Sequence, residues 1–490
     1  MVTNVKWTGM SQFFGYVLQF VTWVIMARIL PADNFGALGI ALAFTNAVYI
    51  FGELGMSMAI IQRKDITAQH CHTTFWTMVL MTLGFLAVVV LAEGPVARYF
   101  HNALISDLMV LTAVRLVVES LGGVHEVLLK RELRFHKLAL IEMASWALFG
   151  LVAVSLTLRG YSIVALAIGY LAKSILKVIL LWLGLSYRPA FVFDRVSFFD
   201  LFNYGKNVIG YKTLSYFASN IAIFLIGRLM GSLTLGYYSL AMSLVNFPRE
   251  KISSIVAGVA FPAMSKLQEH PEDLRQAYEK LIRYAAVVNF PLLIGLLLAA
   301  DPFVRIVYTA KWAPMVLPLK ILCLYGLFFS LTTLFGTIYN AKGRPVYTFW
   351  LSLGNFLGTT VAVFVGFKFG LVGVAVSLVV QAALLNLFGN LLIRRLLEFP
   401  LRQCLVSMRA AVGGVLMMAL VLFATERCLF FLNVADAIVL VIMVLLGAAI
   451  YLAMIFILDP RTFQELLNIV QRLVTFEFKV WGRRRKHAQA

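Results

Sequence analysis

Charge is scarce in this sequence. Asp, Glu, Lys and Arg make up only 13% of the 490 residues, against about 25% in soluble domains. Acids are scarcer still, 23 against 42 Lys and Arg. Cysteine occurs four times, at 71, 323, 404 and 428, without any regular spacing, so no disulfide framework is suggested. No Gly-rich phosphate cradle or Walker sequence is found, which argues against direct ATP hydrolysis by this chain. His70, Cys71 and His72 are adjacent, but no further ligand lies nearby, and a polar loop explains them better than a metal site. Neither a cofactor nor a resident metal is expected.

What fills the chain is apolar. Hydrophobic residues reach 61%, with 39 Phe and a mean hydropathy of +0.89. That composition belongs in a membrane, where roughly 20 residues rising 1.5 Å each cross the hydrocarbon. Fourteen stretches of that length can be placed, near 9–28, 36–61, 74–92, 104–124, 138–158, 161–185, 204–227, 233–262, 282–300, 314–340, 347–367, 370–393, 407–424 and 437–457. Lipid cannot satisfy backbone N–H and C=O groups, and the stretches are too long and uniform for barrel strands, so helices are expected throughout. The first stretch is too long for a signal-peptide core and is read as an uncleaved span.

The basic residues orient these spans. With the N-terminus inside, inner loops and tails hold 25 of the 42 Lys and Arg, and outer loops hold eight. This is the positive-inside distribution, and it places both termini in the cytoplasm. By this topology only Cys428 lies outside. Much of the formal charge of +19 then faces an anionic leaflet, and no nucleic acid is needed to explain it. The tail after Leu458 repeats apolar residues at helical spacing before Arg483, Arg484, Arg485 and Lys486. Such a segment suits the inner leaflet or a cytoplasmic protein.

A repeat organises the spans. Arg28, Gly36 and Ala41 recur as Arg228, Gly236 and Ala241, in each case where one span ends and the next begins. A second echo has a different offset: Gly160, Val164 and Ala165 meet Gly370, Val374 and Ala375. Spans 1 and 2 thus match 7 and 8, and spans 5 and 6 match 11 and 12. An even unit of six spans inserts both copies with one orientation, related by an axis along the membrane normal. The expected fold is an all-α polytopic membrane protein of 14 transmembrane helices. It comprises an N-terminal six-helix lobe over 1–200, a C-terminal six-helix lobe over 201–400, two further helices over 401–458 and a basic amphipathic cytoplasmic tail over 459–490.

Nine basic residues remain inside spans: Arg115, Lys173, Lys177, Lys206, Lys212, Arg249, Lys251, Arg283 and Lys320. A cation facing lipid at mid-bilayer costs ~2.5–3.5 kcal/mol even on the mild insertion scale, so these must face water, an acid or the headgroups. Lys173 sits roughly 18 Å from the outer end of its span, too deep to dismiss. Lys177, Lys206 and Arg283 lie close enough to the inner surface that snorkelling competes with function. Lys320 is close enough to the outer surface to be interfacial.

Lys173 and Lys177 are one turn apart, where like charges repel unless an anion intervenes. Arg115 and Glu119 have the same spacing with opposite signs, which suits either a structural salt bridge or a cavity. Pro248 can kink span 8 and open the Arg249-Glu250-Lys251 turn to water. Acids inside spans are limited to Glu53, Glu119 and Glu250, with Glu142 close to an end. The excess of cations points to a cavity for an anion, for which phosphate is the usual partner. Arg115, Lys173, Lys177, Lys212, Arg249 and Lys251 are the candidate binding residues, and Glu53 and Glu119 the candidates for proton or sodium coupling. The longest outer loop, Asp301 to Ala313, is too short for a catalytic domain, and no paired carboxylates occur on an outer loop. No catalytic residues are therefore assigned.

"FGELGMSMAIIQRKDITAQHCHTTFW", from Phe51 to Trp76, resembles the loop after the second span in bacterial polysaccharide exporters of the multidrug/oligosaccharidyl-lipid/polysaccharide superfamily. The resemblance is to the colanic-acid-exporter-like branch of Wzx flippases. "IGRLMGSLTLGYYSLAMSL" from Ile226 and "FPAMSKLQ" from Phe261 are similar to the same branch. One departure is visible: the pattern Asn-x-Asp before "IGR" reads Asn220-Ile221-Ala222 here, without the carboxylate.

The resemblance implies two lobes of six helices plus two more, in the bacterial inner membrane. It also implies movement of undecaprenyl-pyrophosphate-linked oligosaccharide for exopolysaccharide, capsule or O-antigen assembly, with membrane lipids and a polymerase or export machinery as partners. Three other readings are weighed against it. An ion-coupled multidrug antiporter of the same superfamily should want a negative cavity. A membrane-embedded glycosyltransferase or polymerase should want outer-face catalytic groups. A peptidoglycan-precursor flippase is a close cousin, separable by whether loss is lethal.

Overall fold

A computed structural model describes residues 2–52, 55–63, 65–267, 270–432, 434–465 and 467–468. Within its helices, the side chains of 2–6, 8, 51–52, 204–209, 211–212, 249–263, 265–266, 271 and 430 are outside the described set. All regular structure among the described residues is helical. In chain order the helices are α1 (Val2–Ile29), α2 (Ala32–Gly52), α3 (Met56–Gln62), α4 (Ala68–Tyr99), α5 (Leu104–Arg131), α6 (Phe135–Leu158), α7 (Val164–Gly184) and α8 (Arg195–Lys266). There follow α9 (Pro271–Leu298), α10 (Ala300–Val307), α11 (Val316–Ala341), α12 (Pro345–Gly366), α13 (Gly370–Leu397), α14 (Leu401–Ser407), α15 (Arg409–Phe431) and α16 (Asp436–Leu458).

Ten stretches among the described residues are long and apolar enough to cross a membrane. Helices α2 and α5 are not among them, and α5 carries Asp107, Arg115, Glu119, Glu126, Lys130 and Arg131 along its length. Helix α8 runs 72 residues, but Gly231 at φ 82° and ψ 168° interrupts it between the expected spans 7 and 8. Only glycine enters that region freely, so the helix is broken by a kink there. Asp194 starts α8 by accepting the Ser197 N–H at 2.8 Å and its hydroxyl at 2.6 Å. These bonds hold its carboxyl below the usual aspartate range.

The described residues fall into two compact units. One is drawn from Met1–Met242, Val307–Pro318 and Phe349–Gln381. The other is drawn from Ser243–Ile306, Leu319–Thr348 and Ala382–Ala490. In the first, α5 packs against α2, α4 and α7, while α6 packs against α1 and α7. In the second, α9 packs against α14, α15 and α16, and the Tyr451 hydroxyl donates to the Val287 carbonyl at 2.8 Å.

The duplicated glycines meet. A Cβ on Gly36 would stand 1.9 Å from the Ser232 carbonyl oxygen, and a Cβ on Gly236 would stand 1.9 Å from the Ala32 carbonyl oxygen. Residues 32 and 232 are themselves one repeat apart, so each copy offers the other the same contact. Such reciprocity is the mark of a two-fold relation, and small residues are what let helix backbones approach this closely in lipid. Ala41 and Ala241 are both fully buried. The second echo is conformational as well: Gly160 and Gly370 both take positive φ, 90° and 73°, immediately ahead of matching helices.

Candidate functional site

In the first unit, a line of polar side chains runs between α5, α6 and α7 toward the end that the charge distribution assigns to the inner side. Arg115 on α5 donates from Nη2 to Asn46 Oδ1 at 3.1 Å and lies 5.8 Å from the centre of the Tyr170 ring. Its Nε stands 3.9 Å from Glu119 Oε1, is buried, and has no hydrogen-bond partner among the described residues. Glu119 accepts the Ser174 hydroxyl of α7 at 2.7 Å. Just below, Lys173 Nζ lies 3.6 Å from the centre of the Trp146 ring and 3.9 Å from Glu142 Oε2. Lys177 Nζ reaches Glu142 Oε1 at 2.6 Å and Glu126 Oε2 at 2.9 Å, and Glu126 also takes Lys130 at 2.6 Å.

The repulsion expected between Lys173 and Lys177 is therefore relieved from within, by Glu142 of α6 and Glu126 of α5. Sequence reasoning set Glu142 near the end of its span and left Glu126 out of the membrane count. Glu126 falls beyond the expected end of span 4 at 124, whereas α5 continues to Arg131. The signal was present in the i,i+4 spacing of Glu126 and Lys130, which favours helix. Arg283 and Lys320 in the second unit are likewise paired. Arg283 holds Glu279 at 3.0 Å and Asp459 at 3.9 Å, and Lys320 pairs with Asp301.

Each of the five in-span cations with described side chains thus stands beside a carboxylate. Lys206, Lys212, Arg249 and Lys251 lie on α8 with side chains outside the described set, and Glu53 lies outside the described residues. Most of the tail beyond Phe463 is also outside them.

Two of the candidate cations differ from the rest in what they can still offer. Lys177 is locked by two carboxylates. Lys173 has a carboxylate only at 3.9 Å and an aromatic face, which holds a cation without consuming its hydrogen bonds. Arg115 keeps an unused Nε donor. Both remain partly accessible, with side chains 14% exposed for Arg115 and 18% for Lys173. The arrangement leaves Lys173 Nζ able to take an anionic oxygen while Glu126 and Glu142 hold the frame, and Arg115, whose Nε is itself buried, adds positive charge beside it.

His70, Cys71 and His72 have other work. His70 pairs with Asp200 at 3.3 Å and Thr67 Oγ1 at 2.7 Å, His72 meets the Tyr187 hydroxyl at 3.2 Å, and Cys71 is buried. Asp200 is also gripped by both guanidinium nitrogens of Arg63. His70, Cys71 and His72 stand in the first turns of α4 rather than in the expected polar loop, and with Arg63 the histidines tie this end of α4 to the start of α8 and the segment before it. Asn220, where the family carboxylate pattern is broken, donates to the Tyr216 carbonyl one turn back at 2.9 Å.

Comparison with known proteins agrees with this architecture. The chain is 28% identical over 473 residues to the teichuronic acid biosynthesis protein TuaB of Bacillus subtilis (strain 168), covering 96% of this chain and 98% of that one. It is 27% identical over 412 residues to the lipopolysaccharide biosynthesis protein WzxC of Escherichia coli (strain K12), covering 83% and 84%. Among solved structures, the lipid II flippase MurJ in an inward closed conformation superposes with a TM-score of 0.75 at 17% identity, over 94% of this chain and 99% of that one. That likeness shows the fold. The model of the polysaccharide biosynthesis protein family matches residues 25–317, more than half of the chain, and the protein belongs to that family.

Proposed function

We propose that this protein is a flippase that moves undecaprenyl-pyrophosphate-linked oligosaccharide across the bacterial inner membrane for surface polysaccharide assembly. The lipid tail can stay in the bilayer while the phosphorylated sugar head needs a wet, charged path. In this reading two six-helix lobes, 1–200 and 201–400, alternate access to a shared path, and helices 401–458 and the tail 459–490 are additions. Both termini are cytoplasmic. The observation that carries the reading is the pair of partly exposed, incompletely satisfied cations, Arg115 and Lys173, at membrane depth in a member of this family. Arg115 and Lys173 meet the pyrophosphate, together with Lys212, Arg249 and Lys251 from the second copy, while Lys177 keeps the frame. Glu119, with Glu53, is the candidate for proton or sodium coupling. A relative named as a succinoglycan biosynthesis transport protein, ExoT of Rhizobium meliloti (strain 1021), 26% identical over 472 residues, favours a transporter over a glycosyltransferase, with polymerase or export proteins as downstream partners.

Reconstitution with a fluorescent lipid-linked oligosaccharide in proteoliposomes tests this. The wild type should expose the label to an outside quencher with time. Lys173→Ala and Arg249→Ala should slow that by about tenfold or more, the equivalent of one charge-assisted hydrogen bond of ~1.5 kcal/mol. Flipping at the normal rate by both variants refutes the site, and no flipping by the wild type refutes the function.

A further inference from the structure

The two-fold relation between the copies is broken beside the crossing at Gly36 and Gly236. In the first unit, the loop between α10 and α11 fills the ground beside residues 27–31. Trp312 is fully buried and donates its indole N–H to the Ala27 carbonyl at 2.8 Å. Lys311 Nζ donates to the Arg28 and Leu30 carbonyls, each at 2.8 Å. The equivalent ground beside residues 227–231 faces the loop between α4 and α5. The two loops differ in length but begin alike, with a buried aromatic ahead of a residue of positive φ: Phe100 precedes His101 at φ 55°, and Tyr308 precedes Thr309 at φ 77°. Counting from those residues, Ala103 stands where Lys311 stands.

Ala103 cannot reach across. A cavity of about 580 Å³ remains, lined among others by Asp33, His101, Asn102, Ala103, Arg228 and Ser232. That size lies within the ~300–1,000 Å³ typical of small-ligand sites. Asn102 Nδ2 ties its wall together, donating to Ser232 Oγ at 3.0 Å and Asp33 Oδ2 at 3.3 Å. The Arg228 guanidinium lies 4.8 Å from the centre of the Tyr99 ring. His101, Ala103 and Arg228 are exposed, so the cavity is reachable from the side that the charge distribution assigns to the outer face.

The lining is mixed in sign and dense in both donors and acceptors. One carboxylate beside one guanidinium disfavours a multiply charged anion, and the polar walls disfavour an apolar ligand. Alternating acceptors and donors with an aromatic ring at the edge suit hydroxyl groups on a ring. We propose that this cavity is a saccharide subsite, receiving part of the sugar head at the outer face. This rests on the flippase reading for its biological role, but the binding itself can be measured without it.

The probe is the soluble oligosaccharide freed by mild acid from the producing organism's lipid-linked pool, which carries neither lipid nor phosphate. Inorganic pyrophosphate serves as the comparison. Binding to the full chain in nanodiscs is followed by saturation-transfer NMR and calorimetry. The wild type should bind the oligosaccharide and not pyrophosphate at this site, and Ala103→Lys, which supplies the missing plug, should weaken binding by about tenfold or more. His101→Ala, a smaller change on an exposed loop, should weaken it as well, and thermal melting of both variants checks that they fold.

Oligosaccharide binding left unchanged by the two variants overturns the proposal. So does pyrophosphate binding that Ala103→Lys abolishes, or a wild type that binds no oligosaccharide while still flipping the lipid-linked form. Failure of flipping with intact, Ala103→Lys-sensitive binding would instead leave the subsite standing and remove the transport reading.

Discussion

Placing a methyl group at the crossing of the two copies tests the reciprocal contact directly. A Cβ at position 36 would lie 1.9 Å from the Ser232 carbonyl oxygen, whereas carbon and carbonyl oxygen come to rest at about 3.3 Å or more. The two backbones must therefore part by roughly 1.4 Å, since neither side offers a flexible side chain that could yield. Overpacking commonly costs ~1–3 kcal/mol, and a backbone neighbour puts Gly36→Ala near the upper figure. Gly236→Ala meets the Ala32 carbonyl in the same way and should cost about the same.

The informative measurement is the double variant. Once one methyl has forced the helices apart, the second finds space already made, so the combined loss should be well short of the sum, with a coupling of about 1–2 kcal/mol. Equilibrium unfolding in mixed micelles supplies the four stabilities. Strict additivity, or single variants within ~0.5 kcal/mol of wild type, would refute the claim that the copies touch backbone to backbone here.

Removing the ammonium in Lys177→Met leaves Glu126 and Glu142 facing each other, and should destabilise the protein by about 2–3 kcal/mol, discounted from the ~3–5 of a fully buried pair. Adding Glu142→Gln should recover part of that loss in the same unfolding assay, and no recovery would refute the ion-pair frame. For Asp194 the folded carboxyl is held below its ordinary range, so its contribution is present above the usual aspartate range and is lost as pH falls through the lowered value. The protection factors of the first amides of α8, taken relative to intrinsic exchange at each pH, should fall on acidification in the wild type, and Asp194→Asn should flatten that dependence. An unchanged pH profile in the variant would remove the capping role.

How far the sequence alone reaches depends on whether a feature is local. The break between spans 7 and 8 was legible because Arg228 and Gly236 repeat Arg28 and Gly36, where one span ends and the next begins. The copy relation was legible because Gly36, Gly160 and their mates carry backbone demands that few other residues meet. The partners of Lys173 and Lys177 were not legible, because Glu126 and Glu142 come from other helices and nothing in linear spacing announces which spans pack. The extent of α5 was misjudged for a related reason. Charges in its last turns look like a loop when read alone, and become affordable in a helix only when Lys130 and Lys177 neutralise Glu126. Trp312 gave no sign that it would be a buried plug rather than an interfacial aromatic.

The repeat divides the chain's residues into two kinds, and the division bears on how transport would work. Residues that set backbone geometry recur: Arg28 with Arg228, Gly36 with Gly236, Gly160 with Gly370. Most residues that carry charge inside spans do not; Lys206, which meets Lys6, is the exception. At the corresponding offsets Lys173 meets Ala383, Lys177 meets Leu387, Lys212 meets Gln12, Arg249 meets Tyr49 and Lys251 meets Phe51. The loop registration pairs Arg115 with buried Cys323.

A symmetric hinge with asymmetric walls is what a polar, directional cargo requires. Rocking one copy against the other needs equivalent contacts at the crossing, whereas a headgroup with phosphate at one end and sugar at the other needs different groups on each side. Putting the missing charges into the second copy, for instance Leu387→Lys with no acid to match it, should therefore destabilise the fold without improving transport, because it adds an uncompensated cation where the first copy supplies Glu126 and Glu142.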